Sequence, residues 1–321
     1  MATSNYPNGF LNGVTIRGVP ITQLHPGKVF WVNNSSVLAE GGSAGSNGNP
    51  GTYKQPFSTL DYAVGRCTAS RGDIIAIMPG HAETYSTATA TADDLELDVA
   101  GVAIIGLGNG SLRPKFTFDT ANTVNVAVSA ANITIVNCNF VANFLSNAIM
   151  FLLTTAKHFS LIRNRFSDTS AALNTVNIVE STGAANTIDG LYCEGNRAHM
   201  LGTTFNCFAV TAAGQDEITF IDNIVYSIDT ADAPGLLDIG GVVTDLFMTG
   251  NHVSVNGTTN AQVIFKCTGT TSTGFFSDNR AYSLDTTGDS FTVTSNIVAA
   301  QNAHTGAIGA QGFMGDPPLD T

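Results

Sequence analysis

The chain has 321 residues and a formal net charge of -12, with only 13 Lys plus Arg and no basic cluster, which argues against a role on a nucleic-acid backbone. Charged residues make up 12% and hydrophobic ones 43%, with 33 glycines and many Thr, Asn and Ser, a balance suited to stacked β-structure with uncharged polar faces. The longest apolar run, AIMFLL at 148–153, is too short to span a bilayer. Cys67, Cys138, Cys193, Cys207 and Cys267 form an odd set without CxxC spacing, so packed thiols are expected rather than a disulfide framework or a zinc site.

Residues 1–27, MATSNYPNGFLNGVTIRGVPITQLHPG, combine turn signals (NGF, NGV, RGVP, HPG) with short apolar runs and cannot bury much of themselves. They lack the charged and apolar regions of a signal peptide, so the chain is expected to stay in the cytoplasm until it is assembled.

Residues 28–100 change character three times. A strand is expected over 29–32, then a Gly/Asn/Ser-rich loop, then a helix marked by Leu60, Ala63, Val64 and Cys67, with Ser58 and Asp61 spaced as a capping box. GDIIAIMPG follows as a strand over 74–78 closed by a Pro-Gly turn.

From residue 102 a pattern recurs: two alternating apolar residues, then an asparagine, then a small or apolar residue. It reads Phe159, Leu161, Asn164, Phe166; Leu191, Cys193, Asn196, Ala198; Ile218, Phe220, Asn223, Val225; Leu246, Met248, Asn251, Val253; and, more weakly, Gly274, Phe276, Asn279, Ala281. An earlier copy has Cys138 in the asparagine's place, and from there the steps are 26, 32, 27, 28 and 28 residues. A second strand series near 150, 177, 208, 237, 264 and 292 keeps the same length. Strands returning at a fixed period without crossover helices predict a parallel β-helix with coils stacked one on the next. Asn164, Asn196, Asn223, Asn251 and Asn279 are then expected at one bend, tolerating a left-handed backbone and bonding coil to coil.

The strand, loop, PFSTLDYAV helix and GDIIAIMPG order resembles the opening of the pectin-lyase-like right-handed parallel β-helices, where a short helix covers the open end of the core. GVTIRGVP resembles the leaders of tailed-bacteriophage virion proteins that carry a β-helix body. The resemblance implies an all-β, right-handed single-stranded parallel β-helix, with an arm over 1–27, an opening strand, loop and capping helix over 28–100, coils over 101–300 and a tail or cap over 301–321. It further implies a structural virion protein, a homotrimer decorating the capsid surface and holding the major capsid protein through Tyr6, Phe10, Val14, Ile16, Arg17, Val19 and Pro20. A disordered tail is the competing reading of that segment. The alternative function is a tailspike that binds or cleaves host surface polysaccharide.

Catalysis would need two carboxylates facing one sugar. The candidate pairs are Asp93 with Asp94, Asp189 with Glu194, Asp216 with Glu217, and Asp229 with Asp232, most of them in loops where solvation is the ordinary fate of an acid. NTIDG, residues 186–190, is similar to the Asn-Thr-Asp motif of polygalacturonases, but Ile188 interrupts it and that family's later motifs are missing. The residues therefore favour a non-enzymatic role, without cofactor or metal. Arg163, Arg165, Arg197 and Arg280 flank the repeated asparagines and are expected to mark one outer bend that could meet an acidic surface.

Overall fold

Alternation within each repeat sends every second side chain inward, and two tight corners per repeat bring the chain back over itself. The computed structural model describes residues 14–16, 19–21, 27–36, 38–86, 95–181, 184–202, 206–210, 214–228, 237–255, 265–283, 291–293, 296–304 and 312–314, and the chain is an all-β parallel solenoid. Among these residues three long sheets line it. The first has ten strands, from Val29–Val32 to Ile297–Ala300; the second has ten, from Ala82–Tyr85 to Gly312–Met314; the third has eight, from Leu95–Leu97 to Phe291–Thr292. From Ile74–Ile77 to Asn302–His304 each turn of chain visits them in that order.

Like strands pair in register, so the core is built of rows. Ile104, Ile135, Leu161, Cys193 and Phe220 form an inward row of the first sheet. Phe116, Phe140 and Phe166 do so in the second, with successive ring centroids 5.5 and 5.6 Å apart. Phe151, Val179, Phe208, Leu237 and Phe265 form the row of the third. All of these are essentially inaccessible to solvent, and each large side chain so buried contributes roughly 2–3 kcal/mol.

The corner between the first and second sheets holds the asparagines, but the left-handed residue there is the one before. Asn137, Arg163, Gly195, Asp222, Gly250, Asp278 and Gln301 have φ between +52° and +68°, and the ladder residue follows with ordinary backbone. This corrects the expectation that asparagine is chosen for a left-handed bend. Its role is hydrogen bonding. Asn223 Oδ1 accepts the Asn196 backbone N–H at 3.1 Å and the Asn196 amide at 3.0 Å, while its own Nδ2 donates to the Cys193 carbonyl at 2.9 Å and to Asn251 Oδ1 at 2.9 Å. The unit repeats at Asn251 and Asn279. At Asn164 the Oδ1 takes the Cys138 N–H, so a thiol can begin the ladder because only its backbone is needed. The ladder also passes residue 300: Asn302 Oδ1 accepts both Asn279 donors at 3.0 and 3.1 Å, and Gly312–Met314 folds back antiparallel on Asn302–His304.

At the other end, helix α1 (Leu60–Val64) packs on strands of the first and third sheets with Leu60, Ala63 and Val64 buried. The capping box is not formed. Ser58 donates instead to Asn47 Oδ1, Asp61 accepts the Glu96 N–H, and the helix start is capped from outside by Glu83 Oε1, which accepts the Leu60 N–H at 2.7 Å. His81 holds Glu83 in place: its Nδ1 accepts the Asn34 N–H, leaving Nε2–H to donate to Glu83 Oε1 at 2.7 Å. Of the arm, strands Val14–Ile16 and Val19–Ile21 pair antiparallel with each other as a separate two-stranded sheet; Tyr6, Phe10 and Arg17 lie outside the described residues.

Where the second sheet turns into the third, Asp168 is buried and accepts three backbone N–H groups, from Thr175, Leu201 and Gly202. Burial outweighs those bonds and pushes its carboxyl up to about 6. The folded state then takes up a proton that the unfolded chain, with an ordinary carboxylate, does not, so stability should rise as pH falls from about 6 to about 4. At about 1.4 kcal/mol per pH unit the gain is up to about 3 kcal/mol. Urea midpoints of the wild type and Asp168→Asn at pH 5 and pH 7.5 check this: the wild type should gain on acidification and the variant should gain clearly less.

Candidate binding site

The residue after each ladder position opens a second-sheet strand with its side chain outward. Strand pairing puts these residues in one row along the solenoid: Lys115, Asn139, Arg165, Arg197, Ile224, His252 and Arg280. All but Asn139 are exposed. Five cationic or protonatable side chains thus share one face of a chain whose net charge is -12. Arg165 and Arg197 are direct neighbours, an in-register like-charge pair that weakens a sheet. Among the described residues neither makes an ion pair; the pairs present are Arg71–Asp73, His81–Glu83, Lys157–Asp189 and Lys266–Asp238.

A groove of about 460 Å³ lies over this pair, lined by Asn139, Arg165, Ser167, Arg197, His199 and Ile224 and bounded by Gly110 from the loop after the strand Ala103–Gly106. That loop is fastened by Arg113, whose Nη1 donates to the Arg163 carbonyl at 2.9 Å. In the next outward row His199 and Tyr226 stack with ring centroids 5.1 Å apart. The lining therefore offers guanidinium, amide, hydroxyl and imidazole donors beside an aromatic platform, and it contains no carboxylate.

The arginines singled out from sequence are separated by this geometry. Arg165, Arg197 and Arg280 lie on the sheet face, whereas Arg163 sits in the left-handed corner with φ 54°. Lys115, Asn139 and His252 join them in the row, and the last two are legible as residues that follow a ladder position. His199 and His252 occupy different rows. Among the described residues no three His, Cys, Asp or Glu side chains come together to hold a metal.

No protein-family model matches the chain, and no curated protein matches it in sequence. Solved structures similar to it include a rhamnogalacturonan lyase, with TM-score 0.48 and 12% identity over 87% of this chain and 74% of that one. A pectate lyase gives TM-score 0.38 and 12% identity over 86% of this chain and 79% of that one. At this distance the likeness is one of chain path, and the fold stands on the strand pairing above.

Of the acids weighed from sequence, the carboxylates of Asp189 and Glu194 are engaged by neighbours. Asp189 binds Lys157 at 2.8 Å and accepts the Asp216 N–H, Glu194 takes the Tyr192 hydroxyl, and Glu217 is a left-handed corner residue. Asp93, Asp94, Asp229 and Asp232 lie outside the described residues. NTIDG is a turn: the Thr187 and Ile188 N–H groups donate to Gln215 Oε1, and the Ile188 side chain is in the core. Cys67, Cys138, Cys193 and Cys267 are free, and burial raises their thiols, to about 12 for Cys67 and Cys138, so they stay protonated and unreactive.

Proposed function

We propose that the protein is a rigid, non-enzymatic β-helix of tailspike type that holds an acidic polysaccharide on the outer face of its second sheet. The observation that carries this reading is the unneutralised row of cations on an acidic protein. Arg165 and Arg197 side by side weaken the fold locally, and an anionic ligand would relieve that repulsion. Guanidinium forks match carboxylates in pairs, Asn139 and Ser167 suit hydroxyls, and the His199–Tyr226 stack suits the apolar face of a sugar ring. Hydrolysis is not supported at this site, since its lining lacks the carboxylate pair the reaction uses. Binding of acidic and neutral polysaccharides by titration calorimetry tests it. Acidic glycans should bind with an affinity that falls as salt rises, and the Arg165→Ala/Arg197→Ala double variant should lose at least about tenfold, or ~1.4 kcal/mol. Equal binding of neutral glycans, or an unchanged double variant, would overturn it.

A second reading, a capsid-decorating homotrimer anchored to the major capsid protein, is favoured by two observations. Among the described residues the hairpin of Val14–Ile16 with Val19–Ile21 shares no sheet with the solenoid. Phe247, Phe275 and Val298 form an exposed apolar row on the first sheet, 39%, 39% and 59% accessible. Deleting residues 1–27 should abolish capsid attachment and leave the solenoid folded; attachment that survives the deletion rejects this reading.

A further inference from the structure

The row of cations is interrupted at two rungs, the polar Asn139 and the apolar Ile224. Arg165 and Arg197 form one cationic zone, Arg280 with the imidazole of His252 beside it another, and the rung between them carries Ile224, which is 42% exposed. Beside Ile224, two residues along the same strand, stands Tyr226, stacked on His199. With rungs roughly 4.8 Å apart, the zones are separated by about 10 Å from Arg197 to His252 and about 19 Å from Arg165 to Arg280.

Resting on the reading above that the row binds an acidic glycan, we infer that the ligand is a heteropolysaccharide lying along the solenoid axis, in which neutral sugars separate the acidic ones. A uniformly charged polymer in the same path sets a carboxylate over Ile224, where it loses water without gaining a cation. A neutral sugar there packs its C–H face on Ile224 and Tyr226, while its acidic neighbours reach the zones on either side. Ile224 is thus a specificity residue: it contributes less to total affinity than to the rejection of the wrong charge pattern.

The test compares hyaluronan, in which a neutral sugar follows each uronate, with polygalacturonate, charged on every sugar, against the wild type and Ile224→Lys. The wild type should bind hyaluronan at least several-fold more tightly. Ile224→Lys, at an exposed position, should raise polygalacturonate affinity about tenfold and erase or invert the preference, with a small fall in melting temperature from the like charge it sets beside Arg197. Equal binding of both polymers by the wild type, or a preference that Ile224→Lys leaves intact, overturns the inference while leaving acidic-glycan binding in place. Failure of both polymers to bind at low salt overturns the underlying reading with it.

Discussion

Replacing Asn223 by alanine should destabilise the protein by about 4 kcal/mol, although the side chain touches no candidate ligand. Asn223 is fully buried and stands mid-ladder. Its loss leaves the Asn196 backbone N–H, one Asn196 amide donor and the Cys193 carbonyl without their present partners. Each buried polar group stripped of its bond costs about 1–3 kcal/mol, more than the roughly 1 kcal/mol a hydrogen bond contributes on balance. Asn223→Asp should be worse, because a carboxylate cannot donate to Cys193 and would face Asn251 Oδ1. Denaturant unfolding combined with amide exchange at Asn196 separates local from global loss, which matters because solenoids need not unfold as one unit. A loss below about 1 kcal/mol would show that the corner is held by packing and that the amides are incidental.

Asp73→Ala should cost about 2–4 kcal/mol at the opening end of the solenoid, chiefly by stripping two backbone N–H groups of their acceptor. Asp73 is fully buried and gathers the Lys28 and Thr68 N–H groups, each at 2.7 Å, with Arg71 Nε at 2.7 Å. One carboxylate thus ties the approach to the first strand, the segment after α1 and the strand Ile74–Ile77 together. Burial alone would raise its carboxyl, but the Arg71 guanidinium and the two backbone donors outweigh it and hold it below the ordinary carboxylate range. Its contribution is therefore present above about pH 4, the unfolded value, and is lost as pH falls through the lower folded one. Asp168 acts with the opposite sign in a higher window, so stability should rise on acidification toward about pH 4 and fall below it. Asp73→Ala should flatten only the lower limb; a variant that still shows the full loss below pH 4 would exclude Asp73 as its source.

The period of about 28 residues was enough to name a parallel solenoid, because only stacked coils return strands at that interval without helices to carry the chain back. The inward rows were readable for the same reason, alternation being a local property of a strand. The asparagines are visible as a recurrence and their coil-to-coil bonding is legible with it, but the left-handed backbone belongs to Arg163, Asp222 and their equivalents. Residue type alone did not show this, since Asn tolerates that conformation and Arg does not favour it. The cap of α1 was misread because Ser58 and Asp61 satisfy a local motif, whereas Glu83 wins the Leu60 N–H from a strand more than twenty residues away.

The binding face shows the same division. That Arg165, Arg197 and Arg280 follow repeated asparagines is written in the chain. That Lys115 joins their row, that His199 stacks on Tyr226 beside it, and that Gly110 closes one side of the groove depend on how steps of unequal length, 26 to 32 residues, are absorbed in the loops. Sequence determined the stacking because periodicity and alternation are local and additive. Tertiary structure decided the site because charge, unlike burial, acts between neighbours in space, and register alone makes neighbours of residues about thirty positions apart.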